Sequence, residues 1–124
     1  MSKLFIFLLM VFCHIIDDYY LQGILASMKQ RSWWKEHAPA KLYRHDYLIA
    51  LAMHGFSWTF MVMLPIAAYM DFHPSTLFYA MFAVNWCAHS TIDHMKANLL
   101  KINLITDQLL HMVYIIVTAM LLLG

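Results

Sequence analysis

Apolar residues run along this chain in four long blocks, Lys3 to Leu21, Tyr47 to Met70, Ser75 to about Met95, and Thr106 to Leu123, separated by short polar segments. Each block approaches the ~20 residues that an α-helix needs to cross the hydrocarbon core of a bilayer. Within Tyr47 to Met70 the only group that titrates near neutral pH is His54. The pattern predicts an all-α, polytopic membrane protein: one bundle of four transmembrane helices over residues 1–124, with a short interfacial segment between helices one and two.

The punctuation between blocks agrees with this division. Asp71-Phe72-His73-Pro74-Ser75 predicts a tight turn with Ser75 as the N-cap of the third helix, and Thr106 is placed to cap the fourth. The connection Gln22 to Asp46 interleaves Lys29, Arg31, Lys35, Lys41 and Arg44 with Trp33 and Trp34. That mixture suits the headgroup layer, as a short interfacial helix or re-entrant turn touching anionic lipid, and equally a plain polar loop. The apolar run after Lys3 continues through Ile15 and Ile16 with no small-residue cleavage site, so it is expected to be a retained helix rather than a signal peptide.

Composition changes the picture in one respect, the solvent. With 63% hydrophobic and 12% charged residues and a mean hydropathy of +0.63, the chain suits a bilayer better than water. A net charge of +1 provides no footprint for nucleic acid. Seven of the eight Lys and Arg residues lie in the first and third connections. The positive-inside rule therefore predicts those connections on the cytoplasmic side and both termini outside, with Lys3 dissenting. Cys13 and Cys87 form no CxxC pair, and the methionines and aromatics are expected to be packing residues.

The chemistry resides in ionisable residues inside the spans, which are costly there and tend to be functional. His14 and Asp18, His89 and Asp93, and Asp107 and His111 are all spaced i to i+4, so each pair shares a helix face about 6 Å apart along the axis. Allowing for helix direction, the three aspartates form one layer near the basic side and the three histidines a layer one turn deeper. His54 of the second helix falls at the histidine depth. Histidine nitrogen and aspartate oxygen suit Zn²⁺, Mn²⁺ or Fe²⁺, as one ion or a bridged pair.

Gln22, Lys96 and Gln108 lie near these residues as supporting or substrate contacts, and Asn85 extends the His89 face deeper. Asp17 is set aside because the other pairs use i+4, and His37, His45, His73 and His94 are read as interfacial. The competing expectation for the whole cluster is a hydrogen-bonded network joining helices without an ion.

The segments HIIDDYYLQG, LAMHGF, AHSTIDHMK and TDQLLHM together resemble a domain-of-unknown-function family of small four-helix membrane proteins from bacteria and bacteriophages. That family is distantly similar to LexA-regulated inner-membrane proteins described as metal-dependent hydrolases. The resemblance implies a multi-pass protein of the bacterial inner membrane, and it marks His14, Asp18, Gln22, His54, His89, Asp93, Lys96, Asp107, Gln108 and His111.

The leading functional expectation is a membrane-embedded, metal-dependent hydrolase acting near the cytoplasmic face on a phosphorylated or lipid-linked substrate. His14, Asp18, His54, His89, Asp93, Asp107 and His111 are its expected ligands, with His54 and Asp93 closest to the catalysis. The HExxH motif of metallopeptidases is absent. The alternatives are a divalent-cation or proton transporter or sensor, a haem bundle, and a non-catalytic phage effector stabilised by metal; a homodimer is compatible with any of them.

Overall fold

The computed structural model describes residues 1–124 and is helical throughout, with six α-helices and no strand. α1, Lys3–Ile16, starts at Ser2, whose side chain accepts from the Phe5 N–H, and it continues into a π-helical turn, Asp17–Leu21. The first connection folds into α2, Leu25–Met28, α3, Arg31–His37, and a 3₁₀ turn, Lys41–Tyr43. α4, Asp46–Tyr69, carries Pro65 in its interior. α5, Thr76–Ala97, is capped by Ser75 as expected. α6, Leu104–Leu123, is capped not by Thr106 but by Asn103, whose side chain accepts from the Thr106 N–H at 2.9 Å.

The four long helices alternate in direction and pack in a ring, α1 on α4, α4 on α5, α5 on α6 and α6 back on α1. Lys3 Nζ reaches the Gly124 carbonyl oxygen at 3.3 Å, which fixes the far end of the bundle. Leu21, Asp46, Ala97 and Leu104 mark the opposite end.

Three helical segments are long and apolar enough to cross a membrane: Lys3–Leu21, Lys41–Tyr69 and Leu104–Leu123. The expectation of four apolar spans is corrected at α5. Its length matches, but Asn85, His89, Ser90, Thr91, Asp93, His94 and Lys96 make it too polar to qualify.

The distribution of side chains fits an apolar solvent. Leu8, Phe12, Ile49, Phe60, Ile105 and Met120 face outward, while eleven of the 28 buried residues are polar or charged. Water-soluble domains show the reverse, since charged groups rarely leave water unpaired. Inside the far half, Ile6, Met10, Trp58, Val62, Met63, Ile66 and Ile115 form a continuous apolar core. The other half of the interior holds nearly all the buried charge.

Candidate metal centre

Three long helices deliver their i, i+4 pairs to one interior. The His14–Asp18, His89–Asp93 and His111–Asp107 pairs each bring a ring nitrogen to 3.6–3.7 Å of the partner carboxylate. α4 adds His54, helped by its neighbour Gly55, where a Cβ would overlap Ser90 Oγ and stand 3.1 Å from Trp86. The small residue lets α4 and α5 approach at this level.

The histidine layer is contiguous: His54 and His89 ring centres are 4.9 Å apart, His89 and His111 4.5 Å, and His111 and His14 5.3 Å. Trp58 forms its floor, stacked on His89 at 4.3 Å and donating its indole N–H to His14 Nδ1 at 2.7 Å.

Hydrogen bonds assign the protons on the rings. Because Trp58 can only donate, a neutral His14 carries its hydrogen on Nε2 and gives it to Gln108 Oε1 at 2.9 Å. Both His14 nitrogens are thus engaged. His111 Nδ1 lies 2.7 Å from the Asp107 carbonyl oxygen, which only accepts, so Nδ1 holds the hydrogen and Nε2 keeps its lone pair. That lone pair accepts from His89 Nδ1 at 2.6 Å. His89 Nε2 is left as a bare lone pair, fully buried and without a hydrogen-bond partner.

This lone pair points at carboxylate oxygens, Asp93 Oδ2 at 3.6 Å and Asp18 Oδ1 at 3.8 Å. His54 Nε2 faces the same two oxygens, at 3.3 Å and 3.1 Å. Its other nitrogen faces Asp17 Oδ2 at 3.8 Å, and neither of those atoms has another partner. His54 Nε2–H donates to Asp18 Oδ1 while the His89 lone pair faces the same carboxylates. With the hydrogen of His54 moved to its distal nitrogen, two imidazole nitrogens and two carboxylate oxygens surround one small volume able to hold a cation. An extra proton on His111 would reverse the chain and let His89 Nε2 donate; a metal ion would satisfy all four atoms at once, with the His54 hydrogen moved to Nδ1, facing Asp17.

Asp18, His54, His89 and Asp93 form a group able to hold an ion, their ligand atoms all within 4.8 Å of one another. The four nitrogen-to-oxygen edges, 3.1–3.8 Å, bracket the about 3.3 Å separation of ligands in a tetrahedron with 2.0–2.1 Å bonds.

Asp93 belongs also to a second group with Asp107 and His111. Asp107 Oδ1 is buried and unpartnered. His111 Nε2, however, is already taken by His89, so filling the second group requires His111 to release it.

Two ammonium groups reach these carboxylates, Lys29 Nζ on Asp93 Oδ2 at 2.7 Å and Lys96 Nζ on Asp107 Oδ2 at 3.2 Å. Four buried carboxylates, Asp17, Asp18, Asp93 and Asp107, face two ammoniums. With all four ionised and the imidazoles neutral, two negative charges would remain, and burying them uncompensated is costly.

Of the seven ligands expected from the sequence, four lie in the first group, Asp107 and His111 join the second with Asp93, and His14 is held apart by Trp58 and Gln108. Gln108 also donates to Asp107 Oδ2 at 2.9 Å, and the Gln22 amide donates to the Asp18 carbonyl oxygen. Asn85 lies deeper and donates to Thr118 Oγ1 at 2.8 Å. His37 stacks on Trp33, His94 stacks on Tyr47, His45 accepts from Arg44, and His73 bonds within its own turn.

Three contributors escaped the sequence reading. Asp17 is fully buried and accepts from Ser57 at 2.7 Å. Consecutive residues in an α-helix point about 100° apart, and the π turn that opens at Asp17 brings both it and Asp18 inside. Trp58 follows His54 by one turn, the same i+4 signal as the other pairs, hidden among many aromatics. Lys29 carries no spacing signal; it arrives through the fold of the first connection, where Asn98 binds the Arg31 N–H at 2.6 Å and the Lys29 carbonyl oxygen at 3.0 Å.

Fold and site together define a helical protein with membrane-length apolar helices and buried His/Asp groups able to hold a metal ion. The chain belongs to the family described as Protein of unknown function (DUF3307), whose model matches residues 4–123. No curated protein and no solved structure matches it.

Proposed function

We propose that this protein binds a divalent metal inside a bacterial inner membrane and uses it to hydrolyse a phosphorylated or lipid-linked substrate at the cytoplasmic face. The observation that carries the metal reading is the convergence of His54 Nε2 and the unpartnered His89 Nε2 lone pair on the same Asp18 and Asp93 oxygens. Near-tetrahedral edges and mixed nitrogen and oxygen donors favour Zn²⁺, with Mn²⁺ or Fe²⁺ as the alternatives. A divalent ion there supplies Lewis acidity and a nucleophile from water at neutral pH.

The chain's own residues do the rest of the work. His111 orients His89 through its distal nitrogen at 2.6 Å, and Asp17 Oδ2 stands 3.8 Å from the distal nitrogen of His54, placed to accept from it on a small movement. Asp107, with an unpartnered oxygen beside Asp93, offers a place for a second ion or for a proton released in hydrolysis. Lys29, Arg31, Lys35, Lys41, Arg44, Lys96 and Lys101 gather at the site end, which supports a cytoplasmic placement with anionic headgroups alongside and both termini outside. α5 crosses the membrane in this reading, its polar face turned to the other helices.

Transport is the weaker reading, because Ile6, Met10, Trp58, Met63, Ile66 and Ile115 fill the far half of the interior and leave an ion no charged group there, only Thr59, Asn85 and Thr118.

Elemental mass spectrometry on protein purified without chelator, beside His89→Ala and Asp93→Ala, tests the proposal. Near-stoichiometric metal in the parent and none in the variants supports it, as does metal-dependent cleavage of phosphate esters or lipid pyrophosphates that both variants lose. A parent that takes up no metal even after reconstitution overturns it in favour of a proton-holding polar network.

A further inference from the structure

Lys29 and Lys96 hold an unusual position: each neutralises a carboxylate that the candidate metal groups also claim. Lys29 Nζ bonds Asp93 Oδ2, the oxygen shared by His54 and His89, and its side chain is only 12% exposed. Lys96 Nζ bonds Asp107 Oδ2 at the mouth of the second group. The Asp93 and Asp107 ligand atoms lie within 4.8 Å of each other, so both ammoniums gather on one carboxylate pair. Lys29 comes from the end of α2 and Lys96 from the last turn of α5.

The geometry points to Lys29 and Lys96 as a metal-gated clamp for a phosphate group. Without metal, their charges are spent on Asp93 and Asp107. A dication drawing on the Asp93 oxygen takes over that neutralisation and repels the ammonium beside it. The Lys29 end is then free, and Lys96, 38% exposed and still on Asp107, keeps N–H groups to donate beside it, so that the two ammoniums bind a phosphate as point charges. Metal and anion bind in that order, the metal creating the anion site. The ligand chemistry is a phosphate monoanion or dianion, whether free or on a lipid headgroup.

The inference rests on the metal reading, and one experiment separates their failures. The full chain in phosphatidylcholine nanodiscs, with and without Zn²⁺, is titrated with inorganic phosphate by calorimetry. Phosphatidic acid is tested separately by doping it into the nanodiscs and following native mass spectra. Zn²⁺ affinity is measured in parallel for the parent, for Lys29→Gln with Lys96→Gln, and for Lys29→Arg with Lys96→Arg.

The expected result is phosphate binding only in the Zn²⁺-loaded parent and in the arginine variant. The glutamine variant keeps or gains Zn²⁺ affinity, because a competing cation is gone. Its phosphate affinity falls about ten-fold or more for each charge-assisted hydrogen bond lost. Response to inorganic phosphate assigns the site to free phosphate or soluble esters, and response to phosphatidic acid alone assigns it to lipid. Equal phosphate binding without Zn²⁺, or an unaffected glutamine variant, overturns the clamp and leaves the metal site standing. A parent that binds no Zn²⁺ removes both.

Discussion

The two halves of the bundle interior are built on different physics. In the far half, Ile6, Val62, Met63, Ile66 and Ile115 interlock by shape, interrupted by the Asn85–Thr118 hydrogen bond. In the site half, the same four helices are joined by carboxylates, imidazoles and two lysines, with His89 Nε2, Asp17 Oδ2 and Asp107 Oδ1 left unpartnered. An apolar core loses contacts in proportion to the atoms removed. A charged core behaves otherwise, because each deletion exposes a partner whose desolvation had been compensated. The far half leaves only the neutral Thr59 Oγ1 and Asn85 Oδ1 unpartnered, whereas the site half leaves carboxylate and imidazole atoms unpartnered in groups able to hold a metal ion. Trp58 belongs to both, packed in the apolar cluster and stacked on His89.

The largest test of this contrast is Asp93→Ala. At metal concentrations 1,000 times the dissociation constant, loss of binding removes about 4 kcal/mol of linked stabilisation. A chelator is expected to lower the melting temperature of the parent and leave the variant unmoved, as thermal unfolding in detergent will read. Ile115→Ala, in the far half, is expected to cost about 3 kcal/mol through its cavity. Elemental analysis of that variant should return the same metal content as the parent.

Asp17→Asn tests the support of His54. Metal affinity by competition titration is expected to fall about 10–100-fold with the fold intact; an unchanged affinity would detach Asp17 from the site. The smallest effect is expected from Thr118→Val, which removes the Asn85 contact. Inside a membrane such a bond is worth about 0.6 kcal/mol, and metal binding should not register it.

Much of the site could be read from the chain. The i, i+4 spacing of His14–Asp18, His89–Asp93 and Asp107–His111 is a property of helical geometry alone, and alternating helix direction then set Asp and His at two depths. The same reasoning could not choose among seven ligands. His14 differs from His89 in what its neighbours offer, a donating Trp58 N–H against an accepting His111 nitrogen, and no spacing carries that information. The i+4 rule that passes over Asp17 assumes an unbroken α-helix, which the π turn breaks. The block from Ser75 to about Met95 has the length of a span, yet its inward face carries Asn85, His89 and Asp93.

The sequence by itself determined the helices, their order, the apolar exterior and the presence of aspartate and histidine at matched depths. All of these follow from local periodicity and from the cost of burying charge. Tertiary structure alone decided which lone pairs face one another, that Lys29 folds back from a connection to reach Asp93, and that Asp18, His54, His89 and Asp93 form the tighter group. Those outcomes depend on rotation of each helix about its axis and on hydrogen-bond partners tens of residues away. A one-dimensional pattern constrains such quantities only through the packing it permits.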